Sequence, residues 1–129
     1  MEESQLAAEL GCTETGGKMG ARATFLEGNA DAVEFCTASA HHNLLVAASY
    51  TLQEGPSPIR VGGLYLFTVG EESNPELRKL QLLDTSGIFD IKWNRSSSSF
   101  APCLGQASAD GSLRLYSLQE GHTPSRSSY

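Results

Sequence analysis

The chain has 129 residues, 40% hydrophobic and 19% charged, which leaves room for one ordinary globular domain and argues against a fully disordered chain. Its net charge of −6 argues against nonspecific binding to nucleic acid, because a phosphate backbone attracts lysine and arginine. The start MEESQLAAEL lacks the positive charge and apolar core of a signal peptide, and no stretch reaches the roughly 18 apolar residues of a membrane span.

The first predicted elements follow a glycine-rich start. Residues 1–29 show no sustained hydrophobic period, which predicts a flexible N-terminal segment with one strand-like spot, TFL (24–26). In DAVEFC (31–36), Val33 and Phe35 alternate with Glu34. This alternation is typical of a strand with one buried side and predicts that Val33 and Phe35 occupy it.

Three further strands are predicted up to residue 83. LLVAASY (44–50) and GLYLFTV (63–69) are apolar on both faces, as expected of central strands covered on both sides. QEGPSPIR (53–60) between them contains two prolines and a glycine, which predicts a loop. LRKLQLL (77–83) is typical of a shorter, more exposed strand. Without a helix between them, the four strands form an antiparallel meander.

The pattern then restarts. IFDIKW (88–93) places Phe89, Ile91 and Trp93 on one predicted face, and CLGQAS (103–108) follows. ADG (109–111) predicts a tight turn into SLRLYSL (112–118), because glycine accepts a positive φ without strain. The polar end EGHTPSRSSY shows no alternation and predicts no fourth strand.

The two units form a repeat. Val33 and Phe35 correspond to Ile91 and Trp93 at an offset of 58 residues. In the second strand the offset is 59 residues, and Ala48 and Ser49 correspond to Ala107 and Ser108. In the third strand the offset is 49 residues, and Leu64, Leu66 and Phe67 correspond to Leu113, Leu115 and Tyr116. Four strands per unit at this period are typical of WD-repeat propellers.

The predicted fold is therefore all-β, a WD-repeat β-propeller with about one full blade and three strands of a second. The predicted organisation is a flexible segment at 1–29, a first blade at 30–83, a partial second blade at 84–118 and a polar tail at 119–129. Closed propellers use about four to eight blades, which predicts a fragment or truncated isoform of a longer protein. Exposed edges such as SLRLYSL are expected to make it unstable or prone to aggregate.

One family resembles the chain from about Asp31 to Leu118. The stretches DAVEFC, GLYLF and LLDTSGIFDIKW, followed by GQASADGSLRLYSL, are similar to the N-terminal part of the diphthine methyl ester hydrolases, WD-repeat proteins also called diphthine methyltransferases. The resemblance implies a carboxylic ester hydrolase of diphthamide biosynthesis. Its implied partner is translation elongation factor two carrying methylated diphthine, whose methyl ester it removes. It implies no catalytic set at named positions, so the catalytic residues stay unknown.

Asp84 is the most specific catalytic candidate, because LLDTSG is close to the Asp-Thr/Ser-Gly elbow of aspartic proteases. Those enzymes need two carboxylates that share a proton, each on its own elbow. Here Ser86 separates Thr85 from Gly87, and the sequence has no second elbow. The favoured interpretation is that Asp84, Thr85 and Ser86 cap a turn between two blades.

Other candidates have simpler explanations. An ester hydrolase needs a nucleophile, a base and an oxyanion hole, but the serines at 86, 96–99 and 108 lie in no Gly-x-Ser-x-Gly elbow. Cys36, His41 and His42 are too few for a closed zinc site and fit a strand end and a turn. His122 lies in the polar tail.

The remaining motifs predict no cofactor and no metal. GCTETGGKM (11–19) fails the P-loop pattern, because five residues separate its outer glycines and Met19 replaces the hydroxyl that holds magnesium. The three cysteines, Cys12, Cys36 and Cys103, are odd in number and far apart, which favours free thiols and a cytoplasmic protein. Two further hypotheses remain: a noncatalytic WD-repeat scaffold, and a truncated chain that is itself inactive.

Overall fold

The computed structural model describes residues 19–70, 76–95 and 101–119, together with the strand at 124–127. These residues form a short 3-10 turn, Ser39–His41, and eight strands: β1 (Asn29–Phe35), β2 (Leu44–Gln53), β3 (Ile59–Val69), β4 (Leu77–Ser86), β5 (Ile88–Trp93), β6 (Cys103–Ser108), β7 (Leu113–Leu118) and β8 (Pro124–Ser127). The predicted all-β class is confirmed. None of the described elements is a helix long and apolar enough to cross a membrane.

The strands form two antiparallel meanders, which we call sheet 1 (β1-β2-β3-β4) and sheet 2 (β5-β6-β7-β8). Sheet 2 corrects the prediction of three strands, because β8 pairs with β7 through Pro124–Ser127. Backbone pairing needs no apolar side chain, so the polar sequence PSRS carries no alternation from which this strand is predictable. As a result β7 lies between two strands, and the predicted exposed edge at SLRLYSL is wrong.

The predicted repeat appears in the strand register. In sheet 1, Val33, Ala47 and Tyr65 lie side by side, and in sheet 2 the same row holds Ile91, Gln106 and Arg114. Each sheet also has a β-bulge at the same point of its first strand, between Ala30 and Ala32 in β1 and between Ile88 and Asp90 in β5. The two sheets are therefore equivalent units related by the offsets read from the sequence.

The main apolar core lies between the two sheets. Ile88, Ile91 and Trp93 of β5 are each at most 4% exposed. The other buried members of this core are Cys36, Leu44, Val46, Ala48, Leu64, Leu66, Leu104, Tyr116 and Leu118. Trp93 also donates from Nε1 to the backbone oxygen of Glu34 at 3.3 Å. Full burial of one large apolar side chain is worth about 1.5–3 kcal/mol, so packing of one sheet on the other is a main source of stability.

The prediction that Val33 and Phe35 are buried is wrong, since they are 61% and 54% exposed. Ala32 and Glu34 face sheet 2 instead and are half-buried. Val33 and Phe35 lie on the opposite face of sheet 1, against which no other described sheet packs. Alternation separates the two faces of a strand, but it does not reveal which face meets a neighbour.

Phe89 is a second correction, because it does not share the buried face of Ile91 and Trp93. The bulge in β5 adds one residue before Asp90, so Ile88 takes the buried position and Phe89 is 59% exposed. A bulge reverses the alternation on one side of it, which a period of two cannot anticipate. The Phe89 ring stacks on Tyr50 with 5.6 Å between ring centroids.

A second, smaller core lies on the far side of sheet 1, which we call the outer face of sheet 1 (Val33, Phe35, Leu45, Ala47, Tyr65 and Phe67). Its last four members are buried at 9% exposure or less. The extended segment 24–28, which we call the strap, reverses at Gly28, where φ is +86°. Its Leu26 packs against this core, and Glu27 donates its backbone N–H to the Tyr65 hydroxyl at 3.2 Å. The strap therefore covers a face against which none of the described sheets packs.

Candidate functional site

Asp84 lies within a strand and not at a turn, which corrects the interpretation of LLDTSG as a cap. It is exposed and sits opposite Gly63 in the β3–β4 ladder. β4 continues to Ser86, three residues beyond the predicted end, because β3 begins at Ile59 and offers partners at 61–63. The joint between the sheets is Gly87, which donates to the Arg60 backbone oxygen at 3.0 Å and accepts from the Ala109 N–H at 2.7 Å.

A groove of about 410 Å³ runs beside Asp84 at one end of sheet 1. Its walls carry two carboxylates, Asp84 and Glu27, and the hydroxyls of Ser49, Thr51 and Thr85, among others. Ser49 is 2% exposed, and its Oγ accepts the Gly63 N–H at 2.9 Å. This hydroxyl is therefore held by the backbone and is not presented as a nucleophile. The groove walls are therefore a mixture of polar side chains and apolar ones such as Val61.

The two histidines among the described residues, His41 and His42, do not reach this groove. His41 closes the 3-10 turn before β2 and His42 follows it, whereas Ser49 lies seven residues farther along the chain. At about 3.3 Å per residue this separation is roughly 20 Å. Neither His41 nor His42 therefore lies close enough to Ser49 for acyl transfer, which requires hydrogen-bond contact between the serine and the histidine.

Cys36 is buried beside the 3-10 turn, and burial raises the pKa of its thiol. A thiol with a raised pKa stays protonated at neutral pH and is a poor nucleophile and a poor metal ligand. Among the described residues no three His, Cys, Asp or Glu side chains converge as metal ligands would. Cys36 and Cys103 are free thiols, as predicted.

A buried polar network joins the sheets behind the groove. Gln106 of β6 is 2% exposed and donates from Nε2 to Ser108 Oγ at 2.8 Å and to Thr85 Oγ1 at 3.1 Å. Its Oε1 accepts the Tyr116 hydroxyl at 3.0 Å. Thr85 in turn donates to the Ser86 backbone oxygen. Every polar atom of the Gln106 side chain is thus used, and Thr85 of sheet 1 is tied to sheet 2.

Replacing Gln106 with leucine is expected to lower the free energy of unfolding by about 1–3 kcal/mol. Leucine fills a similar volume, but Thr85 and Ser108 lose their donor and Tyr116 loses this acceptor in a buried place. Urea unfolding followed by Trp93 fluorescence measures the change. Gln53→Leu in β2 is the matched control, because Gln53 is exposed and its replacement removes no buried hydrogen bond. Equal stabilities of the two variants would contradict the role of the network.

The other candidates fall into two groups. Ser108 belongs to the network, and Ser86 lies in β4 next to the joint. The serines at 96–99, His122 and residues 11–18 of the glycine-rich motif lie outside the described residues.

The predicted ADG turn is confirmed, with φ of +87° at Gly111, and Asp110 accepts the Ser112 N–H at 2.9 Å. The hydrogen bonds from Ser112 hold the pKa of Asp110 below its usual value.

Sequence reasoning missed Gln106 and Asn94. Gln106 occupies the position equivalent to Ala47 in the repeat. A polar residue where the other unit has a small apolar one was the signal in the sequence that could have identified Gln106. Asn94 directly follows β5; its Oδ1 accepts the Cys103 N–H at 3.0 Å and its backbone oxygen accepts the Thr37 hydroxyl at 2.5 Å. It connects the two sheets at the end opposite the groove.

The fold defines the class first: two equivalent four-stranded sheets stacked face to face are part of a β-propeller. Comparison with curated proteins then finds "Diphthine methyltransferase" of Mus musculus, 35% identical over 101 residues, and of Homo sapiens, 31% identical over 108 residues. Each comparison covers 70% of this chain, and it covers 21% and 24% of those two proteins. The chain belongs to the diphthine methyltransferase family, and it spans about a fifth to a quarter of the length of these relatives.

Two other comparisons found nothing. No protein-family model matches the chain, and no solved structure matches it. The family assignment therefore rests on the two curated relatives.

Proposed function

We propose that this chain is part of a protein of diphthamide biosynthesis that acts on the methyl group of methylated diphthine. The observation that carries the proposal is the similarity of 70% of the chain to two proteins named for diphthine and methyl transfer. The proposed partner is elongation factor two, the protein that carries diphthine, and the proposed location is the cytoplasm, where that factor works. The groove beside Asp84 is the proposed contact surface on this part of the protein.

The proposed reaction is hydrolysis of the methyl ester, with water as the second substrate and methanol and diphthine as products. The name of the two relatives, diphthine methyltransferase, points to methyl transfer instead, and the two reactions leave different products. Hydrolysis releases methanol and needs no methyl donor, whereas transfer consumes a donor such as S-adenosylmethionine and adds mass to the factor. The resemblance of LLDTSGIFDIKW and GQASADGSLRLYSL to the ester hydrolases supports hydrolysis.

The test is an assay on elongation factor two that carries methylated diphthine, with three proteins compared. The first is the Mus musculus relative, the second is the same protein with its matching segment replaced by residues 30–118 of this chain, and the third is this chain alone. We expect methanol from the first two, within about tenfold of each other, and none above background from the third. S-adenosylmethionine should make no difference to methanol release.

Two results would contradict the proposal. Methanol release by the Mus musculus protein but not by the hybrid would mean that these residues do not support the family activity, provided that the hybrid is folded. Methyl gain that depends on S-adenosylmethionine would replace hydrolysis with transfer. A stable complex with elongation factor two, without any change in its methyl content, would favour the noncatalytic scaffold.

A further inference from the structure

The hairpin between β2 and β3 ends in a tip that carries a serine between two prolines. β2 ends at Gln53 and β3 begins at Ile59, so residues 54–58, EGPSP, belong to neither strand. All of them are exposed. A methyl group added to Gly55 would have no atom within 4 Å beyond its chain neighbours. No other described part of the chain therefore packs on the tip at this point.

The prolines prepare Ser57 for contact with another protein. A proline disfavours helical backbone angles in the residue before it, so Pro58 favours extended angles at Ser57. Pro56 and Pro58 each have a fixed φ and lack a backbone N–H. A segment restricted in this way loses less entropy than a flexible loop when it enters a cleft. The Ser57 hydroxyl is thus exposed on a chain segment that is already restricted.

The residues after Ser57 follow a pattern that protein kinases can read: a proline comes next, and Arg60 lies three residues after the serine. Proline directly after the serine suits a substrate cleft with no acceptor for a backbone N–H at that position, because proline leaves no donor unpaired there. A basic residue three positions after the serine suits an anionic subsite of the same cleft.

The side chain of Arg60 is available for such a subsite. It is exposed, and of its side-chain nitrogens only Nε has a partner among the described residues, the Tyr50 hydroxyl at 2.6 Å. This bond holds the stem of the arginine and leaves its two Nη groups as donors. A guanidinium group presents these donors in a plane that matches carboxylate or phosphate oxygens.

The same pattern occurs a second time in the sequence, at residues 123–126 (TPSR), but the fold treats it differently. Its last three residues lie in β8, which begins at Pro124 and pairs with β7. Its threonine, Thr123, lies outside the described residues. In the hairpin the ladder begins only at Ile59, after the serine and the proline. A paired segment must open locally before an enzyme can bind it, so the fold favours the pattern in the hairpin.

We propose that Ser57 is a phosphorylation site for a proline-directed protein kinase that favours a basic residue three positions after the serine. Ser57 Oγ attacks the γ-phosphorus of Mg-ATP, the bond from that phosphorus to the β,γ-bridging oxygen breaks, and ADP leaves. The hydroxyl proton passes to the catalytic aspartate of the kinase. The phosphate adds about two negative charges at the tip, four residues after Gln53, which lines the groove beside Asp84. This modification is independent of the reaction proposed above.

The test incubates the full chain with a purified cyclin-dependent kinase, its cyclin and Mg-ATP, and mass spectrometry locates and times the phosphate. We expect rapid phosphorylation of Ser57, and no rapid phase in Ser57→Ala. Pro58→Ala should lower the rate at Ser57 at least about tenfold, which is the effect of one specific pocket contact. Pro56→Ala is the matched control, because it removes the other proline of the tip and keeps the Ser-Pro pair. Its rate should match that of the wild-type chain.

Two substitutions of Arg60 isolate its charge. Both Arg60→Lys and Arg60→Gln remove the hydrogen bond from Nε to Tyr50, but only lysine keeps a positive charge. Arg60→Gln should be phosphorylated about tenfold more slowly than Arg60→Lys, as expected for loss of one charge-assisted hydrogen bond to the kinase. The fluorescence of buried Trp93 verifies that both variants are folded.

Synthetic peptides of residues 50–63 and 116–129 separate the effect of the fold from the preference of the kinase. Neither peptide contains the rest of its sheet, so the ratio of their rates reports how well the kinase reads each pattern by itself. In the folded chain the ratio of Ser57 to Thr123 phosphorylation should exceed the peptide ratio by at least about tenfold, because β8 must first leave β7.

Three results would overturn the proposal. The first is a folded chain without phosphate on Ser57, whether or not the peptide of residues 50–63 reacts. The second is the same ratio of Ser57 to Thr123 phosphorylation in the chain as in the peptides, which would mean that the hairpin does not favour its site. The third is a wild-type rate in both Pro58→Ala and Arg60→Gln, which would mean that the kinase does not read the pattern.

Discussion

Replacing Trp93 with alanine is expected to lower the free energy of unfolding by about 3–5 kcal/mol, the range for removing a large aromatic side chain from a core. Trp93 is 4% exposed at the centre of the contact between the sheets, and its loss leaves a cavity there. It also removes the donor that binds the Glu34 backbone oxygen in sheet 1. Because a whole domain is stable by about 5–15 kcal/mol, this single change is large enough to separate the sheets.

Urea unfolding followed by far-UV circular dichroism measures this effect, since the variant lacks the chain's one tryptophan. Phe25→Ala is the control, because it removes an aromatic ring of which 90% is exposed and should change the stability by no more than about 0.5 kcal/mol. Trp93→Phe should fall between the two, since phenylalanine fills much of the space but cannot donate to Glu34. Equal effects of Trp93→Ala and Phe25→Ala would refute the interface as the main core.

Replacing Gly62 with alanine is expected to lower the free energy of unfolding by about 2–3 kcal/mol, as overpacking of a rigid site does. A methyl group on Gly62 would lie 2.9 Å from the Ser86 backbone oxygen and 3.1 Å from the Gly87 Cα, and it would also contact the Ser49 backbone oxygen. All three neighbours are backbone atoms of adjoining strands and of the joint. Backbone atoms cannot move away from the added methyl group as the end of a flexible side chain can.

Gly105→Ala is the matched control, since Gly105 is also a strand glycine. A methyl group there would lie 3.7 Å from the Lys92 backbone oxygen and 3.9 Å from Leu115 Cδ2, which are ordinary contact distances. Alanine restricts the unfolded chain more than glycine does, so this variant should be neutral or more stable by up to about 1 kcal/mol. Urea unfolding of both variants followed by Trp93 fluorescence decides the matter, and a Gly62→Ala variant as stable as Gly105→Ala would refute the argument.

The pattern of apolar residues along the sequence predicted the core strands of this molecule well. The runs at 44–50 and 63–69 have buried side chains on both faces, as their apolar sequences indicate. The offsets of 58, 59 and 49 residues predicted the equivalence of the two sheets, and the register confirms it. These signals come from side-chain burial, which acts on every second residue of a strand and is therefore visible in the sequence.

Other features left no such signal. The bulge in β5 moved Phe89 to the surface, and β8 formed through backbone pairing without apolar residues. Val33 and Phe35 point outward because the other face of sheet 1 packs against sheet 2. The sequence of a single strand does not indicate which of its faces packs against another sheet. At the groove, the sequence drew attention to Asp84, but only the structure shows that Gln106 ties the strand carrying it to sheet 2.

The order of the strands along the chain has a consequence for synthesis on the ribosome. Sheet 1 consists of consecutive segments that end at Ser86, so all of its pairing partners emerge before the first residue of β5. Folding in the order of synthesis would complete this sheet while its leucines, Leu64 and Leu66, still lack their cover. Ile88, Ile91 and Trp93 are the next buried residues to appear, so the stretch that joins the sheets also supplies the first part of the cover for these leucines, and β6 and β7 supply the rest.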